Sequence, residues 1–341
     1  MSEVEVAAFP LDAPNVVQLD EYHAAVAVES STLSTTQCLG DSIEQLLLDS
    51  FTPKTRPLSQ SRVNLSSEAN VKFATIVEQL QKALDKFDEP LMMSLLGRMN
   101  DECDSDSDTP LVLRSMRGLC RLLIVMLSNM KEIQAVTKTC LRTIHLLCGD
   151  EAVNAKNINF FMAANIYTTL VDVLKCHASS AIVCAGVYRV IADLASYDKK
   201  QRYQLSNVGT CEAILDSVQQ HTAYPFVVEQ ALEACYFLFP DNSCASVLMD
   251  DLKMYHLLCD ALEIRRPPES LANIACSLCG LLVTHFQYGI HFQTAVMFHK
   301  ISTVLDMWHS TSLTSPVIKN VLFILSRLKH PFRNADSNIL S

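Results

Sequence analysis

Apolar residues in this chain recur at three- and four-residue intervals over long stretches, and the period breaks at short polar or proline-bearing gaps. From Ser66 onward, Val71, Phe73, Ile76, Val77, Leu80 and Leu84 mark one face of an amphipathic helix. A second helix follows Pro90 (LMMSLLGRM) and is expected to stop at the acidic run DECDSDSD, 101–108. Beyond it the helical spacing returns and repeats. LVDVL at Asp172, LDSV at Asp216, CDAL at Asp260 and LDMW at Asp306 superimpose at intervals of 44, 44 and 46 residues. Leu194, Leu238, Leu282 and Leu328 keep the same three intervals, so two independent markers report one period.

Counting back from each leucine gives two more columns. Three residues earlier stand Ile191, Cys235, Cys279 and Leu325; seven earlier stand Val187, Ala231, Ala275 and Val321. Small and apolar residues at these offsets let helices approach along one face. A diverged earlier unit has Leu147, Ile144 and Cys140 in the same columns, after an apolar run LLIVML at 122–127. Pro225, Pro268 and Pro316 follow the aligned aspartates by eight to ten residues, and Ser179–Ser180 take that place in the remaining unit. Proline and serine there mark the first turn of a helix. Each unit therefore reads as a short helix, a second helix carrying the aspartate, a turn, and a longer third helix.

This pattern divides the chain into a mostly disordered acidic arm at 1–66, with a short helix at 43–51 (IEQLLLDSF), and capping helices at 67–100. An acidic loop at 101–110 follows. Repeats occupy 111–330, at about 111–160, 161–205, 206–250, 251–295 and 296–330, and a tail closes the chain at 331–341.

Composition narrows the class. Only eight of 341 residues are Gly, about a third of the usual ~7%, which argues against glycine-rich phosphate loops and β-rich folds. Apolar residues make up 49%, enough for a large core. The thirteen cysteines mostly sit inside apolar periodic stretches, as buried reduced thiols do in the cytoplasm or nucleus. The first residues, MSEVEVAAFP, carry acids where a signal peptide needs a basic start. Leu119–Leu127, the longest apolar run, spans nine residues and includes Arg121, against the ~20 that a spanning helix needs, so no membrane insertion is expected. The net charge of −10 is unevenly spread: residues 1–66 hold nine acids and three bases, and 101–108 hold five acids. The helical body is close to neutral and lacks the basic footprint of a nucleic-acid binder.

A three-helix unit of a little over forty residues, with a small residue and a closing leucine on its third helix, resembles the armadillo repeat over roughly 115–330. The related HEAT repeat shares much of this pattern. QLSNVG at 204–209 is similar to the family's first-helix turn, and Asn165, Lys253 and His299 are the equivalents of Gly209. The resemblance implies an all-α fold, a right-handed α-solenoid whose third helices line a concave groove holding extended peptides or partner proteins. Import members of the family carry a ladder of Trp and Asn one and five residues before the closing leucine. Here those positions hold Asp193 and Arg189, Phe237 and Glu233, Leu281 and Ser277, and Arg327 and Phe323. The ladder is absent, so recognition of basic import signals is not expected. With Arg142 and Leu146 from the earlier unit, these residues form the implied partner-binding groove.

Other motifs point to packing rather than chemistry. Cys276 and Cys279 form a CxxC without a second ligand pair at matching spacing, and Cys279 occupies the apolar column. His285, His291 and His299 are the densest histidines, yet no HExxH occurs. Asp250–Asp251 begins like a DDxxD motif, but its fifth position is Met254. The aligned aspartates read as the polar face of otherwise buried helices. Ser105 and Ser107, among carboxylates, suit an acid-directed kinase, whose phosphate would add about −1.5 to −2 charges per site.

The expected function is a non-enzymatic scaffold or adaptor without a cofactor, binding a protein or extended peptide, with the acidic arm as tether or autoinhibitor. A regulator of a small GTPase or a chaperone is the alternative. A helical-bundle enzyme is least favoured, because no clustered polar pocket is visible.

Overall fold

The computed structural model describes residues 67–104, 117–148, 154–240, 252–264, 267–284, 295–308 and 315–328. All fall within one compact unit, Arg56–Ser341. The arm, its helix at 43–51, Ser105, Ser107, His285, His291, Asp250, Asp251 and the tail lie outside the described residues.

Among the described residues the regular elements are all helical. They are α1 (Ser67–Asp85), α2 (Glu89–Asp104), α3 (Arg117–Asn129), α4 (Gln134–Cys148), α5 (Asn154–Ala163), α6 (Ile166–Cys176) and α7 (Ala181–Tyr197). Then come α8 (Lys199–Ser206), α9 (Thr210–Val218), α10 (Pro225–Leu238), α11 (Leu252–Glu263), α12 (Glu269–Thr284), α13 (Ala295–Trp308) and α14 (Pro316–Leu328).

The helix starts have local causes. Pro225 and Pro316 open α10 and α14, where a missing N–H costs nothing. Asp198 caps α8 by accepting from the N–H of Lys200 at 2.7 Å and of Gln201 at 3.2 Å. Between the first and second helices the backbone turns through a left-handed residue, Gly209 with φ 75° and Asn165 with φ 59°. Asparagine is among the few residues that adopt this conformation readily, and the Asn165 side chain accepts a 2.7 Å bond from the Tyr167 hydroxyl. The turn is therefore kept in two units although the glycine is kept in one. It is not repeated at Lys253 and His299, which lie within α11 and α13.

One expected boundary moves. The acidic run taken as a loop begins inside α2, whose last residues are Asp101–Asp104. Acids at a helix C-terminus oppose the dipole, but burial carries the helix through. Met99 is fully buried, and buried Asn100 accepts a 2.8 Å bond from the Thr143 hydroxyl of α4. Grouping each short helix with the pair after it starts two units at Asn154 and Lys199, ahead of the boundaries the spacing suggests.

Third helices pack side by side in the order α4, α7, α10, α12, α14, with α2 against α4 at the start. Second helices (α6, α9, α11 and α13) form the opposing layer, each packed on its own third helix. The columns found by counting fill the space between. Leu147, Leu194, Leu238 and Leu282 are fully buried, as are Ile144, Ile191, Cys235 and Cys279, and Cys140, Val187, Ala231, Ala275 and Val321. Asp172, Asp216, Asp260 and Asp306 are exposed on the outer face of their second helices.

Two histidines stitch the turns between second and third helices. His221 Nε2 meets the carbonyl of Ala178 at 2.8 Å, and His177, 44 residues earlier, meets that of Lys131. Both Cys276 and Cys279 have no exposed surface, and burial pushes the Cys276 thiol up to about 12 and that of Cys279 well above its ordinary value. Thiols held in the protonated form within apolar packing fill the core; they are not poised as ligands or nucleophiles.

Candidate partner-binding groove

Residues four and seven apart share a helix face, so each third helix has one stripe turned away from the second-helix layer. On α7 the stripe runs Ile182, Gly186, Arg189, Asp193; on α10 it runs Phe226, Glu229, Glu233, Phe237. Every one of these is exposed or half-buried, while Val183, Val187, Val190 and Leu194 on α7, and Val227, Ala231, Ala234 and Leu238 on α10, are buried. Helical spacing and burial thus define the same face. The ten positions expected to line the groove all sit on it: Arg142 and Leu146 on α4, Arg189 and Asp193 on α7, Glu233 and Phe237 on α10, Ser277 and Leu281 on α12, Phe323 and Arg327 on α14. Each is half-buried or exposed.

Several of them are already engaged. Ser277 Oγ accepts from Asn320 Nδ2 at 2.8 Å, and the same amide group donates to Asn273 Oδ1 at 2.9 Å. The Phe323 ring lies where a Cβ on Gly280 would come within 3.4 Å of it, and the Arg327 guanidinium stands 5.4 Å from the ring centroid. Asp193 Oδ2 meets His145 Nδ1 of α4 at 2.7 Å.

Polar contacts join the third helices at nearly every junction. Thr143–Asn100 links α4 to α2, and His145–Asp193 with Gln134–Ser180 (3.0 Å) links α4 to α7. Ser270–Glu229 (2.9 Å) links α12 to α10, and Ser315–Glu269 (3.2 Å) with the Asn320 pair links α14 to α12. The α7–α10 junction differs. It is the most extensive helix contact among the described residues, yet no hydrogen bond or ion pair joins Glu233 or the Gln230 amide oxygen of α10 to α7. Glu233 and Arg189 face each other there without pairing, and the buried Gln230 Oε1 has no partner.

Electrostatics follow from that. Burial, then the nearby Asp193 carboxylate, raise Glu233 above its ordinary value, partly countered by Arg189. Asp193 is also raised, chiefly by burial, with His145 and Arg189 opposing the shift.

Sequence reasoning missed three residues on this face. Ile182, Tyr224 and Phe226 are 48%, 57% and 56% exposed at the N-terminal ends of α7 and α10. Ile182 and Phe226 are 44 residues apart and occupy one repeat position, so the period alone could have found them. They fall outside the two offsets at which the import ladder sits. An open depression of ≈ 480 Å³ lies elsewhere, on the second-helix side, lined by Leu174, Lys175, Val208, Glu212, Asp216 and Gln220. No helix among the described residues is long and apolar enough to cross a membrane.

No family model matches the chain, and no curated protein does either. Solved structures do match. A designed armadillo repeat protein aligns with a TM-score of 0.58 at 16% identity, over 74% of this chain and 98% of its own. Another designed armadillo repeat protein, in complex with the peptide (KR)4, aligns at 0.58 and 17% identity over 74% and 98%. An engineered protein reaches 0.59 at 14% identity over 78% and 100%. At such identities the likeness establishes the fold: an armadillo-like α-solenoid.

Proposed function

We propose that this chain is a non-enzymatic binding protein that holds a protein or extended peptide along the exposed face of its third helices. One observation carries the reading. Four successive third helices present a stripe on which Ile182, Phe226, Phe237, Leu281 and Phe323 keep apolar surface in water, although the columns beside them are buried. An aligned row of such steps gains free energy, at roughly 25 cal/mol per Å² of apolar area, only when another molecule covers it. A designed protein of the same fold, recorded in complex with a peptide, supports the reading.

The test is affinity capture from cell extract with the full chain, read by mass spectrometry, comparing wild type with the double variant Phe237→Glu/Leu281→Glu. Both positions are half-buried at the surface, so the variant is expected to keep its helical circular dichroism. Proteins retained by wild type should be lost from the variant. Identical sets from both would move binding off this face and end the reading.

A further inference from the structure

Among the described residues, the α7–α10 junction is where polar groups gather on the third-helix face and some are left unpaired. Glu229 and Glu233 stand one turn apart on α10, between Phe226 on one side and Phe237 on the other. Glu229 accepts only from the Ser270 hydroxyl. Glu233 accepts no hydrogen bond from any described residue, and after burial the charges that act on it most are Asp193 and Arg189 across the junction, then Glu229 and His145. Gln230, 4% exposed, carries the unpartnered Oε1 one turn from Glu233. In the repeat, Gln230 matches Asn320, whose amide reaches back to the preceding third helix at Asn273 and Ser277. At the matching position of α10, the Gln230 oxygen has no partner.

The Glu233 carboxylate and the Gln230 amide oxygen are acceptors left unmet, and Asp193 and Glu229 have one hydrogen-bond partner each. Across these three carboxylates Arg189 is the one full-time cation acting on Glu233. What the junction lacks is a donor with positive charge, and the nearest apolar surface lies at the two ends of the same stripe. From Phe226 to Phe237 is eleven residues, about 16 Å along a helix axis, which an extended chain covers in about five residues.

We propose that the exposed stripe of α10, with Asp193 and Arg189 alongside, docks an extended protein segment that presents a single Lys or Arg between two apolar side chains about five residues apart. The cation seats against Glu233 and Glu229, and the apolar side chains cover Phe226 and Phe237, next to Ile182 and Tyr224. Such a segment differs from a run of basic residues. Among the described residues of this face, this junction offers the unpaired acceptors; the neighbouring positions present Arg142, Ser277 and Arg327, one exposed, one hydrogen-bonded and one stacked on Phe323. The proposal rests on the binding role of the third-helix face and adds the chemistry of what it binds.

The experiment selects binders for the full chain from a phage-displayed library of random twelve-residue peptides. Affinities of the recovered peptides are then measured by fluorescence anisotropy. The expected consensus has one basic residue flanked by apolar ones at this spacing. Glu233→Gln should weaken such a peptide about five- to tenfold, and Glu233→Lys should reverse the preference, favouring the peptide in which Glu replaces its Lys. That reversal cannot come from misfolding. Recovered peptides with an acidic or uncharged centre, a need for consecutive basic residues, or affinities indifferent to Glu233→Gln would each overturn the proposal. If such peptides still lost binding in Phe237→Glu, the face would remain the binding site. A selection yielding no binder at all would overturn both the proposal and the broader reading.

Discussion

Glu233 shows how a residue can be costly to the fold and useful to a surface. Burial and Asp193 raise its carboxyl above the ordinary value, so the folded chain holds this proton more tightly than the unfolded chain does. Between the ordinary carboxylate value, about 4.3, and the raised one, the folded state binds more protons, and stability falls as pH rises through that window. The deficit then persists at neutral pH. Glu233→Gln removes it and is expected to raise the Tm at pH 7.5. The advantage should shrink as the pH drops towards 4. Thermal melts across that range check both sign and window; a lowered Tm at pH 7.5 would mean that Glu233 has a stabilising partner. Asp193 differs in having His145 at 2.7 Å. Its carboxylate is a structural link as well as a residue of the exposed stripe.

At the scale of elements, the third helices are held in register by side chains some forty residues apart. Asn320 illustrates the strength of such a link. It is 7% exposed and donates to both Asn273 and Ser277 of α12, so truncation leaves two acceptors unmet. Asn320→Ala is expected to lower stability by about 1–2 kcal/mol, measured by urea unfolding with an unchanged m-value. A loss near zero would show that water replaces the amide at this junction. Where such a link is absent, at α7–α10, packing alone holds the helices. Gly186 assists on the other side of α7, since a Cβ there would stand 3.3 Å from Leu141 Cδ1 of α4. Close approach and polar links thus occur together at α4–α7 and at α12–α14. The site proposed for a partner falls where the links stop.

Across the whole molecule, stability in a stack of repeats is close to a sum over units and their interfaces. Interior helices gain from neighbours on both sides. Native-state hydrogen exchange should therefore find the slowest amides in α7 and α10, with protection falling towards α1 and towards α14. Uniform protection from end to end would instead indicate one cooperative unit. The fold was largely legible beforehand because it is periodic. Leu194, Leu238 and Leu282, with the two columns behind them, had to be apolar to lie in one continuous core, and that requirement writes itself at a 44-residue interval. The uncovered stripe was legible for the same reason: residues one and five before the leucine fall on the uncovered side of the same helix.

What the sequence by itself determined is this periodic part, namely the helices, their starts at Pro225, Pro316 and Ser180, the buried columns and the uncovered stripe. Each is a local or repeating consequence of burying one face of a 3.6-residue helix. Tertiary structure alone decided which polar residues on that stripe are satisfied. Ser277, Asp193 and Glu229 find partners 43, 48 and 41 residues away, while Glu233, Arg189 and the Gln230 oxygen find none. A carboxylate written at a stripe position looks the same whether or not a donor on the next helix reaches it. That depends on the register and spacing of two helices brought together by the core, and no local pattern records it.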